Sequence, residues 1–177
     1  MDNTQRAYIA LGTNLPFEGV GGPALLAQAV LTLQASGLKI RALSSVWETA
    51  AWPPDSGQPD YYNAAAELDR EGLEPQPLYA TLRAIETRFG RERRGRYGYR
   101  TMDLDILALD GCVGTFGDIV LPHPHMHERA FVLAPLAEIA PDWRHPAAGR
   151  TVQELLAGLP AGSEYRRLGP LAMPGRG

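Results

Sequence analysis

A single cysteine, Cys112, is all the thiol this sequence contains, so it builds neither an internal disulfide nor a cysteine metal cage. It lies in LDGCVGT, which reads as a turn, and its expected role is filler. No segment approaches the roughly 20 consecutive apolar residues of a membrane-spanning helix. The start, MDNTQRAYIALGTN, has no apolar stretch suited to export, so a cytoplasmic location is expected. Lysine is nearly missing: Lys39 is the only one, which excludes the GxxxxGK[ST] phosphate loop and the protein-kinase lysine. A broad basic field is absent too, the formal net charge being −3, and this argues against a general nucleic-acid or membrane-surface binder.

What is present fits one globular domain over residues 1–160, because 177 residues with 45% hydrophobic side chains can bury a sizeable core. Residues 161–177, ending in GPLAMPGRG, read as a flexible tail. AYIALGTN (7–14) reads as a buried strand closing in a Gly/Asn turn. PALLAQAVLTLQASG follows as a helix, with Leu26, Ala29, Val30 and Leu33 at helical spacing and Gly37 as the stop. LKIRALSSVWET reads as one second strand, and the turn formers of AAWPPDSGQP (50–59) make a loop. In the third strand, DYYNAAAELDR, alternation puts Tyr61 and Asn63 on one face and Tyr62, Ala64 and Ala66 on the other. PQPLYATLRAIETRFG gives a helix with Leu78, Leu82, Ile85 and Phe89 as its apolar stripe and Gly90 as its stop. MDLDILAL adds a strand, DIVLPHPHMHERAFVLAPLAEIAP a short strand, a proline-broken loop and a helix, and TVQELLAGL a further helix. The expected fold class is α+β, a ferredoxin-like sandwich with a mainly antiparallel sheet and helices on one face.

The positive charge that the chain does have is concentrated. Arg88, Arg91, Arg93, Arg94, Arg96 and Arg100 crowd directly before Asp103 and Asp105. In a strand the two aspartates share a face about 7 Å apart, with Met102, Leu104 and Ile106 on the other and Leu107 and Leu109 continuing the aspartates' own. Carboxylates at the entrance of so apolar a strand need cations to offset their desolvation. Mg²⁺ accepts one or two carboxylates plus phosphate oxygens, and arginine fits phosphate bidentately; ion pairs at a strand end would use the same residues. The arginines favour the metal and phosphate combination that phosphoryl transfer needs, and an anionic nucleotide reconciles both clusters. In HPHMHER, His123, His125 and His127 have H-x-H spacing that can bind zinc, but Pro122 and Pro124 break any regular strand, so one histidine at a ligand and two at the surface are expected. Tyr61, Asn63, Trp52 and Phe131 could form a flat-ring pocket, or serve as ordinary core.

In order along the chain, YIALGTN, SSVWET, QPDYYNAAAEL, IETRFGR, GYRTMDLDIL and LPHPHMHERAFVLAPLAEIAP resemble the 6-hydroxymethyl-7,8-dihydropterin pyrophosphokinase family. The resemblance implies ATP-dependent diphosphoryl transfer to that pterin in folate biosynthesis, with two Mg²⁺ ions held by Asp103 and Asp105. It also implies a monomer whose partners are its small-molecule substrates; from the mild acidity, neither nucleic acid nor membrane is expected as a partner. Arg91 and Arg93 match arginines that close over the substrates, Arg94 being the alternative to Arg93. Arg100 and Arg129 match phosphate-binding arginines, Glu86 and His123 nucleotide-side positions, and Ile106 a neighbour of the adenine. For the pterin, Thr49, Ala50 and Trp52 match a loop whose backbone reads the ring edge, Asn63 its amide partner, and Tyr61 and Phe131 its stacking rings. Ala50, Ala51, Tyr97, Tyr99 and Asp118 depart from the family's usual residues, and none of these is a metal ligand. Two other readings remain: a non-catalytic pterin or nucleotide binder, and a hydrolase using a metal at the histidine cluster.

Overall fold

The structure is a computed structural model that describes residues 5–51, 57–91, 100–162 and 164–173. In chain order the elements are β1 (Arg6–Thr13), α1 (Gly22–Ala35), β2 (Ile40–Leu43), β3 (Val46–Thr49), β4 (Tyr61–Asp69), α2 (Pro75–Arg88) and β5 (Asp103–Leu109). A small hairpin, β6 (Gly114–Phe116) and β7 (Ile119–Leu121), leads to a 3₁₀ turn at Met126–Glu128. The chain then forms α3 (Ala130–Ile139), α4 (Val152–Ala157) and β8 (Tyr165–Gly169).

β1 is apolar almost throughout because it runs through the interior of an antiparallel sheet ordered β5-β1-β4-β3-β8, with most of both its faces covered. β2 and β3 are successive segments along one edge of β4, pairing with Ala66–Leu68 and Tyr61–Asn63 respectively. The single strand expected over this stretch is thus broken at Ser44 and Ser45. There the Ser44 hydroxyl accepts the Ala65 N–H at 2.8 Å, satisfying it with a side chain where a regular ladder would use a carbonyl.

Helices cover both faces of the sheet, where the sequence suggested one. On the first face Ile9, Leu11, Ala64, Ala66, Leu104 and Ile106 pack against the Leu26/Ala29/Val30/Leu33 stripe of α1 and the Leu78/Leu82/Ile85 stripe of α2. On the second, Tyr8, Ala65, Leu107 and Ala108 pack against Val132, Leu133 and Leu136 of α3 and Val152 and Leu155 of α4. A bulge in β5 sets which residues go where. Tyr8 pairs with Ala108 but Ile9 with Ile106, so Leu107 is an extra residue. Leu107 and Ala108 both face α3, and Leu109 swings to the α1/α2 side, contrary to simple alternation.

The expected tail is also corrected. Glu48 pairs with Arg166 and Thr49 with Tyr165, so β8 lies along β3 as an edge strand. Its YRRLG sequence gave little apolar signal because all but its last residue are exposed, and its partner is remote in sequence.

Candidate active site

α3 and α4 cover only part of the second face, and beyond them the sheet is left open as a cleft of about 340 Å³. Ala10, Gly12 and Asn63 form its floor, Asp103, Asp105 and Arg100 one wall, and His123, Arg129 and Phe131 another. Gly12 is a glycine for a reason specific to this floor: a Cβ there would stand 3.1 Å from Asn63 Oδ1, tighter than ordinary packing. Asn63 is itself oriented by its neighbour, its Nδ2 donating to Thr49 Oγ1 at 3.0 Å.

The carboxylates are wrapped in guanidinium groups. Asp103 Oδ1 accepts from Arg91 Nη1 at 2.7 Å and Oδ2 from Arg100 Nη1. The Arg100 backbone is in turn tied down by Asn14, whose Oδ1 accepts the Arg100 N–H at 2.8 Å. Asp105 Oδ1 lies 3.4 Å from Arg83 Nη2. Burial and the adjacent Asp103 charge raise the Asp105 pKa, against the pull of His123, Arg83 and Arg91. A buried carboxylate that resists ionisation despite nearby arginines is a place where an added cation is stabilised. Two carboxylates with open space in front fit Mg²⁺, which keeps waters and takes phosphate oxygens as its remaining ligands. Among the described residues no group of three His, Cys, Asp or Glu side chains could hold a metal without such help.

His123 flanks Asp105 in the same cleft. Its Nδ1 accepts the His125 N–H at 3.3 Å, so the neutral ring carries its proton on Nε2, where it can serve as a donor. Burial lowers its pKa, opposed by the Asp105 charge. His125 instead pairs with exposed Glu128, and His127 stacks edge-on against His145 with ring centroids 5.4 Å apart.

Residues 8–141 match the family model described as 7,8-dihydro-6-hydroxymethylpterin-pyrophosphokinase, HPPK. The chain belongs to this family. The 2-amino-4-hydroxy-6-hydroxymethyldihydropteridine pyrophosphokinase of Methylorubrum extorquens is 43% identical over 161 residues, 90% of this chain and 97% of the relative. The enzyme of the same name from Pseudomonas aeruginosa is 40% identical over 158 residues, 88% and 93% of the two chains. A crystal structure of the Plasmodium falciparum HPPK-DHPS has the same fold, with a TM-score of 0.65 at 14% identity. That match covers 88% of this chain and 43% of the other, so the present chain spans less than half of the solved one.

The residues matched to the HPPK family on sequence are mostly brought together. Thr49, Ala50, Tyr61, Asn63, Arg100, Asp103, Asp105, His123, Arg129 and Phe131 line or face the cleft. Trp52 and Arg93, with its alternative Arg94, lie outside the described residues. The side chains of two others do not line the cleft. Ile106, 5% exposed, belongs to the core on the opposite face of the sheet from the aspartates, which leaves only its backbone for a nucleotide. Glu86, 2% exposed, is a support within the HPPK fold: it accepts the Leu104 N–H at 2.8 Å and pairs with both Arg83 and Arg91. Its burial raises its pKa, which those hydrogen bonds and charges oppose. Sequence reasoning passed over Gly12 and Arg83. A glycine inside a buried strand, and an arginine one helical turn before a buried glutamate, were the signals available.

Proposed function

We propose that this cleft is where the chain transfers the β,γ-diphosphate of ATP to 6-hydroxymethyl-7,8-dihydropterin, giving AMP and the pterin diphosphate in folate biosynthesis. The observation that carries the reading is the shared cleft, in which the paired aspartates, Arg100 and Arg129 line the same cavity as Tyr61, Asn63 and Phe131. The triphosphate belongs beside the carboxylates. There Asp103 and Asp105 would hold two Mg²⁺ ions, which would neutralise phosphate charge and polarise the phosphoryl oxygens. Arg100 and Arg129 contribute guanidinium donors to the phosphates, as does Arg91 once released from Asp103, and His123 contributes its Nε2–H.

The pterin belongs between Tyr61 and Phe131, the latter 40% exposed and so ready to be covered by a ring. Asn63, held by Thr49, reads the ring edge together with the backbone at Ala50. The pterin hydroxyl oxygen then bonds to the β-phosphorus as the bond from that phosphorus to the α,β-bridging oxygen breaks. AMP departs with that oxygen, and the hydroxyl proton leaves to solvent. Residues aligning donor and acceptor supply most of the catalysis, because a loose phosphoryl transition state demands positioning and charge neutralisation more than a base. A monomer acting on small molecules is part of this reading. A cytoplasmic location belongs to the same reading. No helix among the described residues is long and apolar enough to cross a membrane.

The test is to supply purified protein with Mg²⁺, ATP and 6-hydroxymethyl-7,8-dihydropterin and to identify the nucleotide released. AMP that forms only when the pterin is present is the expected result. ADP, free phosphate, or binding of both substrates without turnover would overturn it.

A further inference from the structure

We propose that Arg83 is a positioning residue for Asp105, and that the site's affinity for divalent cations depends on the geometry of its guanidinium fork. The proposal rests on the reading that Asp105 is a metal ligand.

Asp105 and α2 lie on opposite faces of the sheet, yet Arg83 connects them by reaching around the free edge of β5. Its Nη2 donates to the Leu104 carbonyl and lies 3.4 Å from Asp105 Oδ1, while Nη1 pairs with Glu86 Oε2 at 2.8 Å. Glu86 accepts the Leu104 N–H, so these two side chains occupy both backbone groups of one residue on the outer edge of β5. The Arg83 guanidinium also sits over the Tyr79 ring, 4.7 Å from its centroid. Nε of Arg83 is buried without a hydrogen-bond partner among the described residues. Leaving such a donor unsatisfied is costly. The remaining contacts therefore hold the group where Nε is poorly served and Nη2 stays within reach of Asp105.

The two aspartates are thus held differently. Asp103 is gripped by Arg91 and Arg100, of which Arg100 lines the cleft, and these arginines can transfer to phosphate oxygens. Arg83 is fixed to the scaffold by Glu86, Leu104 and Tyr79 and stays behind when the cleft fills. It is suited to keep the Asp105 carboxylate in one rotamer, and a rotamer fixed in advance reduces the ordering a metal must impose.

Charge and geometry make opposite predictions here. A guanidinium beside a cation site repels the cation, so removing its charge alone tightens cation binding, whereas losing the orientation of Asp105 weakens it. The experiment measures Mn²⁺ binding, by the electron paramagnetic resonance signal of free Mn²⁺, to the full chain with a non-hydrolysable ATP analogue. Arg83→Met and Arg83→Lys are compared with wild type, alongside pterin KM and thermal unfolding. Both variants are expected to bind Mn²⁺ about tenfold more weakly with pterin KM unchanged, because a lysine ammonium cannot span Glu86, the Leu104 carbonyl and Asp105 together. Tyr79→Leu, which keeps the arginine and removes the ring beneath it, should shift affinity the same way by a smaller factor. It decides the matter if the Arg83 variants do not fold. Unchanged or tighter Mn²⁺ binding in the folded variants overturns the role of Arg83. A wild-type chain that binds no Mn²⁺ overturns the metal reading and this proposal with it.

Discussion

Asp105 illustrates how a reactive site is held at the expense of its own stability. Its pKa is raised by burial and by Asp103, so the fold favours its protonated form. That contribution is present at low pH and is lost as pH rises through the folded-state pKa, which leaves the ionised group a liability at neutrality. Asp105→Asn keeps an oxygen for Arg83 and removes the charge. The metal-free variant is expected to melt above wild type at pH 7 while turnover is lost, and calorimetry with an AMP assay checks both. Gly12 is the complementary case, a residue that serves by having no side chain. Gly12→Ala would press on Asn63 Oδ1, and pterin KM should rise about tenfold, on the order of 1.4 kcal/mol, with ATP KM little changed. Steady-state kinetics in both substrates would show the split. The aspartates, arginines and rings were legible in the sequence because their residue types announce their chemistry. That the Glu86 and Ile106 side chains are buried was less legible, since position along a helix or strand does not say which side of the sheet it meets.

Elements were legible where their periodicity is local. The stripes of α1 and α2 were read from spacing because each helix buries one face on the same sheet surface. Gly90, at φ +72° and with a Cβ position only 2.7 Å from the Phe17 ring, ends α2 as its sequence suggested. The bulge at Leu107 and the pairing of β8 with β3 were not legible. Both depend on a partner strand far away in sequence, and neither leaves a mark in a local pattern. α4 offers a test of an element by itself. Its Thr151 and Glu154 form a reciprocal capping box, with Glu154 N–H donating to Thr151 Oγ1 at 3.1 Å and Thr151 N–H to Glu154 Oε2 at 2.8 Å. Thr151→Ala should cost about 1 kcal/mol of stability by denaturant titration. No kinetic constant should change, because α4 packs beneath the covered part of the sheet rather than at the cleft.

Across the whole molecule, the second helix layer carries a pH dependence of its own, at a residue that does not line the cleft. His145 is buried beside His127 and Trp143, and its Nδ1 accepts the N–H groups of Ala147 and Ala148 at 3.2 and 3.1 Å. Burial, and then His127, hold its pKa below the ordinary value of 6.5. The unfolded chain takes up a proton first as pH falls through that value, so this layer contributes fully above it and progressively less below. Thermal melts from pH 5 to 7 should therefore fall more steeply for wild type than for His145→Gln, and parallel curves would remove His145 as the cause. The pairing of β2 with β4 has a practical consequence of another kind. Lys39 is exposed, and its carbonyl accepts the Asp69 N–H at the end of β4 opposite Tyr61, about 26 Å away along eight strand residues. The chain's only ε-amine is thus an isolated handle on the far rim of the sheet. Once the α-amino group has been blocked near neutral pH, where its lower pKa makes it the more reactive amine, an acylating reagent should attach one dye or one surface tether per molecule, and leave an arginine-built reaction centre chemically untouched.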